Sequence, residues 1–266
     1  MHTVVCMKQV IDPEVPPHLF QIDPEEKKQI RGRQPLVIGD YDEVAIEIAL
    51  QLKEKTDGKV TIITIGQKET EESLHQALAM GVDEVVRVTD PVFENTDPLG
   101  KARILAAALR KVGEFDLILC GRQAGDVELG LVGAFLAEEM ALPCATLIAN
   151  VEPEDGKARL KRQTETGYDI LEAPIPFLAT VTNDESNVPR YASVRGIMKA
   201  RKATVPVWSA EDLELDPAEI GPEAMQLQME ELFIPEREMV CEIIEGETGA
   251  EKAQNLVLRL KDEKLI

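Results

Sequence analysis

Short apolar runs alternate with amphipathic stretches along the first half of the chain. "TVVCM" (3–7), "KVTIITIG" (59–66), "EVVRVTD" (84–90) and "FDLILCG" (115–121) are β-branched and apolar, as strands buried on both faces must be. Between and after them, "DYDEVAIEIALQLKEK" (40–55), "KETEESLHQALAMG" (68–81), "PLGKARILAAALRKVG" (98–113) and "LGLVGAFLAEEMAL" (129–142) repeat apolar positions near helical spacing. Asp40 and Asp42 stand where they would cap the first of these helices, and Gly81 closes the second. Strand, helix and strand in regular turn predict βαβ units. The fold expected is α/β, a doubly wound and mainly parallel sheet with helices on both faces.

The pattern changes after about residue 150. "CATLIANVEPE" (144–154) starts another strand, and residues 151–182 read as a small antiparallel addition with a glycine turn. Pro174 and Pro176 place its last strand at a sheet edge. The chain therefore divides into an α/β domain, 1–205, and an extended C-terminal arm, 206–266. Residues 206–245 have little periodicity, and Trp208, Met225 and Met229 read as packing anchors against a partner. The arm ends in a helix whose Ala253, Leu256, Val257 and Leu260 form one apolar stripe.

Composition excludes several functions. A net charge of −20 argues against nucleic acid, because phosphate backbones need clustered Lys and Arg. The four cysteines are scattered without a CxxC pair, so zinc or cluster ligation is not expected. Cys6, Cys120 and Cys144 sit in or beside apolar runs, as small hydrophobes in a reducing compartment do. "MHTVVCMKQV" shows no signal-peptide pattern and no apolar run is long enough to span a bilayer, which suits a cytoplasmic protein without direct membrane insertion. A matrix protein with its presequence removed would read the same. His2, His18 and His75 have no ligand-spaced neighbours, and no serine sits in a nucleophile elbow. Neither a metal site nor a catalytic residue is expected.

Open α/β sheets bind ligands at the carboxyl ends of their strands. The most distinctive such end is "LILCGRQAGDVELGLVG" (117–133), with glycines at 121, 125, 130 and 133. Freed backbone N–H groups beside a helix N-terminus make an anion seat. The stretch matches neither GxxxxGK[ST] nor GxGxxG, so it is either a phosphate-binding turn or a tight structural one. Asp126 and Glu128 either serve ribose hydroxyls or cap a helix beginning near Leu129. They also flank the seat, where a second phosphate would meet negative charge.

"CGRQAGD" followed by "GAFLAEEMALP" resembles the nucleotide loop of the beta (small) subunit of electron transfer flavoproteins. "KQVIDPE", "DEVAIEIALQLKE", "VPRYASVRGIMKARK" (188–202) and the chain end "LRLKDEKLI" agree in order. The resemblance implies an electron carrier: an obligate heterodimer with a larger alpha subunit, which holds most of the redox-active FAD. It implies dehydrogenase donors, such as acyl-CoA dehydrogenases, and a downstream quinone-linked oxidoreductase. In this subunit it implies a structural AMP, or a second FAD in the electron-bifurcating branch, which also uses NADH. Carried over by position, the nucleotide contacts are Cys6, then Gly39, Asp40, Tyr41 and Asp42, then Ile65. The phosphate loop follows as Gly121, Arg122, Gln123, Ala124, Gly125, Asp126, Val127, Glu128, Leu129, Gly130, Leu131 and Val132. Tyr41 takes the aromatic position that meets the flavin, and Ser186, Asn187 and Val188 the loop offered to the partner dehydrogenase. The run Gly125-Asp126-Val127-Glu128 lacks the Asp-Gly-Asp-Thr of the bifurcating branch, which favours AMP. A stand-alone adenine-nucleotide module is the remaining rival, and it has no use for the arm.

Overall fold

A computed structural model describes residues 1–235 and 241–266; residues 236–240, in the arm, lie outside the described residues. The chain opens with β1 (His2–Cys6). Next come β2 (Gln9–Ile11), β3 (Ile22–Asp23), β4 (Lys28–Gln29) and β5 (Leu36–Ile38), two small antiparallel ribbons pairing β2 with β5 and β3 with β4. Alternation then sets in: α1 (Asp40–Thr56), β6 (Lys59–Ile65), α2 (Thr70–Met80), β7 (Glu84–Val88), α3 (Pro98–Val112), β8 (Leu117–Gly121) and α4 (Val132–Glu139). β9 (Cys144–Glu154), β10 (Lys157–Thr164) and β11 (Gly167–Pro174) form a meander, followed by β12 (Phe177–Val181), α5 (Val194–Ala200) and β13 (Val207–Trp208). The last helices are α6 (Pro217–Ile220) and α7 (Gly249–Asp262).

Nine strands make one sheet in the order β11-β10-β9-β12-β8-β1-β6-β7-β13. It is parallel from β9 to β13, and β10 and β11 extend it antiparallel. Strand residues alternate between two cores. Val5 packs with α1 and α2 on one face, while Val4 and Cys6 pack with α3 and α4 on the other. The sheet is therefore doubly wound, and its central strands are apolar throughout because both faces are covered.

Four expectations are corrected. β12 is not an edge strand: it lies between β9 and β8 with every residue buried. Pro174 ends β11 and Pro176 precedes β12, so neither removes a ladder N–H from it. Neither Asp40 nor Asp42 caps α1, whose N-cap is Gly39 with no side-chain bond. α4 starts at Val132, not near Leu129, because Glu128 (φ 51°) and Gly130 (φ 65°) hold the backbone left-handed before it. Cys144 is exposed rather than a core hydrophobe, since it opens β9.

The first part of the arm packs onto this body. β13 pairs with β7, and Ala210, Leu213 and Ile220 join the α3–α4 core. Trp208, expected against a partner, packs partly buried on that same core beneath the Lys111 ammonium, 5.2 Å from its ring centre. Asp97, the N-cap of α3, also accepts the N–H groups of Gln226 and Leu227. α7, in contrast, has no buried residue. No helix among the described residues is long and apolar enough to cross a membrane.

Candidate functional site

From β1 the chain winds outward through β6 and β7, then returns to β8 on the other side of β1. The sheet order thus reverses between β1 and β8, where a crevice must open at the strand ends. Cys6 and Cys120 are register partners at that point. A cavity of about 530 Å³ lies there, lined among others by Cys6, Gly121, Ile65, Val88, Phe93 and the first turns of α3. Its size suits a small-molecule site.

Most of the residues singled out from the sequence line this cavity: Cys6, Asp42, Ile65, Gly121 to Ala124, Val127 and Leu129 to Val132. Gly39, Asp40, Tyr41, Gly125, Asp126 and Glu128 do not form its wall. Gly39 and Tyr41 support it from behind. Gly39 donates its N–H to the Lys8 carbonyl, and the Tyr41 ring carries the Arg122 guanidinium at 4.7 Å.

Two glycines of the loop are required by geometry. A Cβ on Gly121 would stand 2.5 Å from Asp42 Oδ1 and 2.9 Å from Tyr41 Cβ, so only glycine lets β8 approach α1 this closely. Gly130 has φ 65° and would set a Cβ 3.2 Å from the Arg122 carbonyl. Gly125 meets nothing within 4 Å, so the protein itself does not demand it. Of the amides from Gln123 to Leu131, only that of Glu128, bonded to the Ala124 carbonyl, finds an acceptor among the described residues. The others are open to water or to a bound anion, beside the N-terminus of α4.

Asp42 fastens the two sides of the crevice. Its carboxylate accepts the N–H of Lys8 at 2.8 Å and that of Gly121 at 2.9 Å, tying the end of β1 to the end of β8. Burial raises its pKa from 3.8 to about 7, against the two backbone donors and the Lys8 charge. A folded pKa above the unfolded one means the native state holds this proton more tightly. The group's contribution to stability is therefore present below about pH 4 and lost as pH rises through about 7. Asp42→Asn cannot ionise, and its amide turns N–H against one of the two donors. The variant is expected to melt below the parent near about pH 5, with the gap closing by roughly 2–3 kcal/mol towards about pH 8. Parallel melting curves across that range would show that Asp42 does not titrate there.

The charges differ from the expectation in one respect. Asp126 is held by Lys8 at 2.6 Å, so it is neutralised and does not repel an anion from the loop. Sequence reasoning also missed Lys8, Lys101 and Phe93, which line the cavity from the turn after β1, α3 and the loop after β7. Lys101 and Phe93 lie in or beside a stretch whose helical pattern gives no sign of a ligand.

The loop expected to meet a partner is pinned rather than free. Asp184 caps a short turn through Ser186 and pairs with Lys161 at 3.0 Å. Asn187 is buried and donates to the Ala149 carbonyl. Arg190 bonds both Glu47, itself buried, and Glu54 of α1. Ser186 stays exposed, and the exposed apolar side chains of the loop are Val188 at 73% and Tyr191 at 100%.

The electron transfer flavoprotein domain model matches residues 29–213. The electron transfer flavoprotein subunit beta of Thermoanaerobacterium thermosaccharolyticum is 38% identical over the full length of both chains. The caffeyl-CoA reductase-Etf complex subunit CarD of Acetobacterium woodii is 36% identical, and the acryloyl-CoA reductase electron transfer subunit gamma of Anaerotignum propionicum 31%, each again over both whole chains. With its domain matched over most of its length and its whole chain aligned to such subunits, the protein belongs to the electron transfer flavoprotein family, among the beta subunits.

Proposed function

We propose that this chain pairs with an alpha subunit that holds most of an FAD, and that its own crevice holds AMP as a structural ligand. The observation supporting the nucleotide is the crevice itself: a cavity at the strand switch point, walled by a loop whose amides are almost all without acceptors. An adenosine fits the apolar end at Cys6, Ile65 and Val88, and a phosphate fits the amides of the 123–132 loop. The flavin supplies the redox chemistry when bound, and this chain's residues orient and shield it. A second flavin in this crevice is the other reading, favoured by the continuation of the cavity to Lys28 and Phe93 and by the neutralisation of Asp126. Two relatives are named for caffeyl-CoA and acryloyl-CoA reductases, which supports exchange of electrons with an enzyme acting on an acyl-CoA.

Electron delivery then depends on a docking face and not on an acid or base of this chain. Val188 and Tyr191 are the apolar side chains that the pinned loop projects. Replacing both with serine is expected to slow flavin reduction by the cognate dehydrogenase roughly tenfold or more, as loss of a docking anchor does, and to leave the flavin spectrum unchanged. An unaltered rate would remove the loop from the docking face.

A further inference from the structure

The phosphate seat has a second wall. Lys101 stands in the first turns of α3 and lines the same cavity as the glycine loop. Its amine has no ion-pair or hydrogen-bond partner among the described residues. Every acid nearby is already committed. Asp126 is bound to Lys8. Asp97 accepts the N–H groups of Gly100, Gln226 and Leu227. Asp90 accepts those of Val92 and Ala210, and Glu94 accepts the Gln67 amide. Lys28, also on the cavity wall, is turned to Asn95. Burial first, and then the Lys8 charge, hold the Lys101 amine below the ordinary lysine range, against Asp126 and Asp97. A half-buried cation with no direct hydrogen-bonding partner is costly unless something else supplies one. No carboxylate therefore bonds the Lys101 amine directly, and it stands beside backbone amides that also lack acceptors.

We propose that Lys101 is the cation that holds the phosphate of the bound nucleotide, closing from the α3 side the seat that the glycine loop opens. This rests on the reading of the crevice as a nucleotide site. Lysine serves here as a point charge that meets a phosphate oxygen without needing the planar fork of arginine. Lys101 is a binding residue, and its contribution is specific to the phosphate, since the adenosine end of the cavity lies at Cys6, Ile65 and Val88.

The test compares AMP with adenosine. The heterodimer, freed of its nucleotide by dialysis, is titrated calorimetrically with each ligand as wild type, Lys101→Gln and Lys101→Arg. Lys101→Gln is expected to weaken AMP roughly ten- to a hundredfold, as loss of a charged hydrogen bond does, to leave adenosine unchanged, and to recover most of the AMP affinity in Lys101→Arg. AMP affinity that stays unchanged in Lys101→Gln overturns the proposal while the crevice remains a nucleotide site. Equal weakening of AMP and adenosine overturns it too, because the residue then acts on the fold. A wild-type heterodimer that binds neither ligand overturns the reading of the crevice and the proposal with it.

Discussion

A chain ending at Leu227 is expected to keep its nine-stranded sheet and to lose its pairing with the alpha subunit altogether. Residues up to 227 belong energetically to the body: β13 completes the sheet, Ala210, Leu213 and Ile220 fill the α3–α4 core, and Gln226 and Leu227 bond Asp97. The residues beyond behave differently. Phe233, Ile234 and Ile243 are 65%, 56% and 82% exposed, and Leu256, Val257 and Leu258 of α7 are all exposed. So much unburied apolar surface on a highly charged chain marks an interface. Removing 228–266 is therefore expected to shift the melting temperature of the isolated chain by no more than about 2 °C, as changes away from the core do. Size-exclusion chromatography with the alpha subunit then shows two separate species. Removing 206–266 instead takes away buried leucine and isoleucine, each worth about 2–5 kcal/mol, and is expected to destabilise the body itself. A pair that survives loss of 228–266 with normal flavin content would mean that these residues do not hold the alpha subunit.

Gly121→Val is expected to empty the crevice and to cost the fold about 3 kcal/mol, lowering the melting temperature by roughly 6–12 °C. The added carbons collide with Asp42 and Tyr41, so the bond between Gly121 and Asp42 breaks and β8 is pushed off α1. Gly125→Val is the informative companion. A Cβ there meets no protein atom within 4 Å, so this variant is expected to keep the fold. Any nucleotide it loses is lost to contact with the ligand. If Gly121→Val retains both stability and nucleotide, the tie across the crevice has no part in holding it.

Periodicity revealed the parallel half of this molecule because local and tertiary preferences agree there. α3 runs Pro98–Val112, capped by Asp97 and closed at Gly113, where its pattern placed it. β12 was misplaced because a proline before a strand and a proline inside one read alike until the pairing is known. The break before α4 was hidden because Glu128, a residue type that favours helices, is held at φ 51° by the loop around it. The site divides in the same way. Glycines at 121 and 130 were visible as a backbone brought close to something. Asp42 looked like a helix cap, and only the sheet shows it bridging β1 and β8. Lys101 was invisible for a similar reason: a lysine on an amphipathic helix reads as solvated until the cavity beside it is seen. Asn187 looked like a surface tip, yet it is buried against the Ala149 carbonyl, so the exposed face of that loop passes to Val188 and Tyr191.

The central claim is that this subunit carries a structural nucleotide while its partner carries the flavin. It is tested most directly by purifying the heterodimer, releasing its ligands with acid and quantifying them by chromatography. One AMP and one FAD per pair is the predicted result. Two FAD and no AMP would contradict it, placing a second flavin in the crevice between β1 and β8.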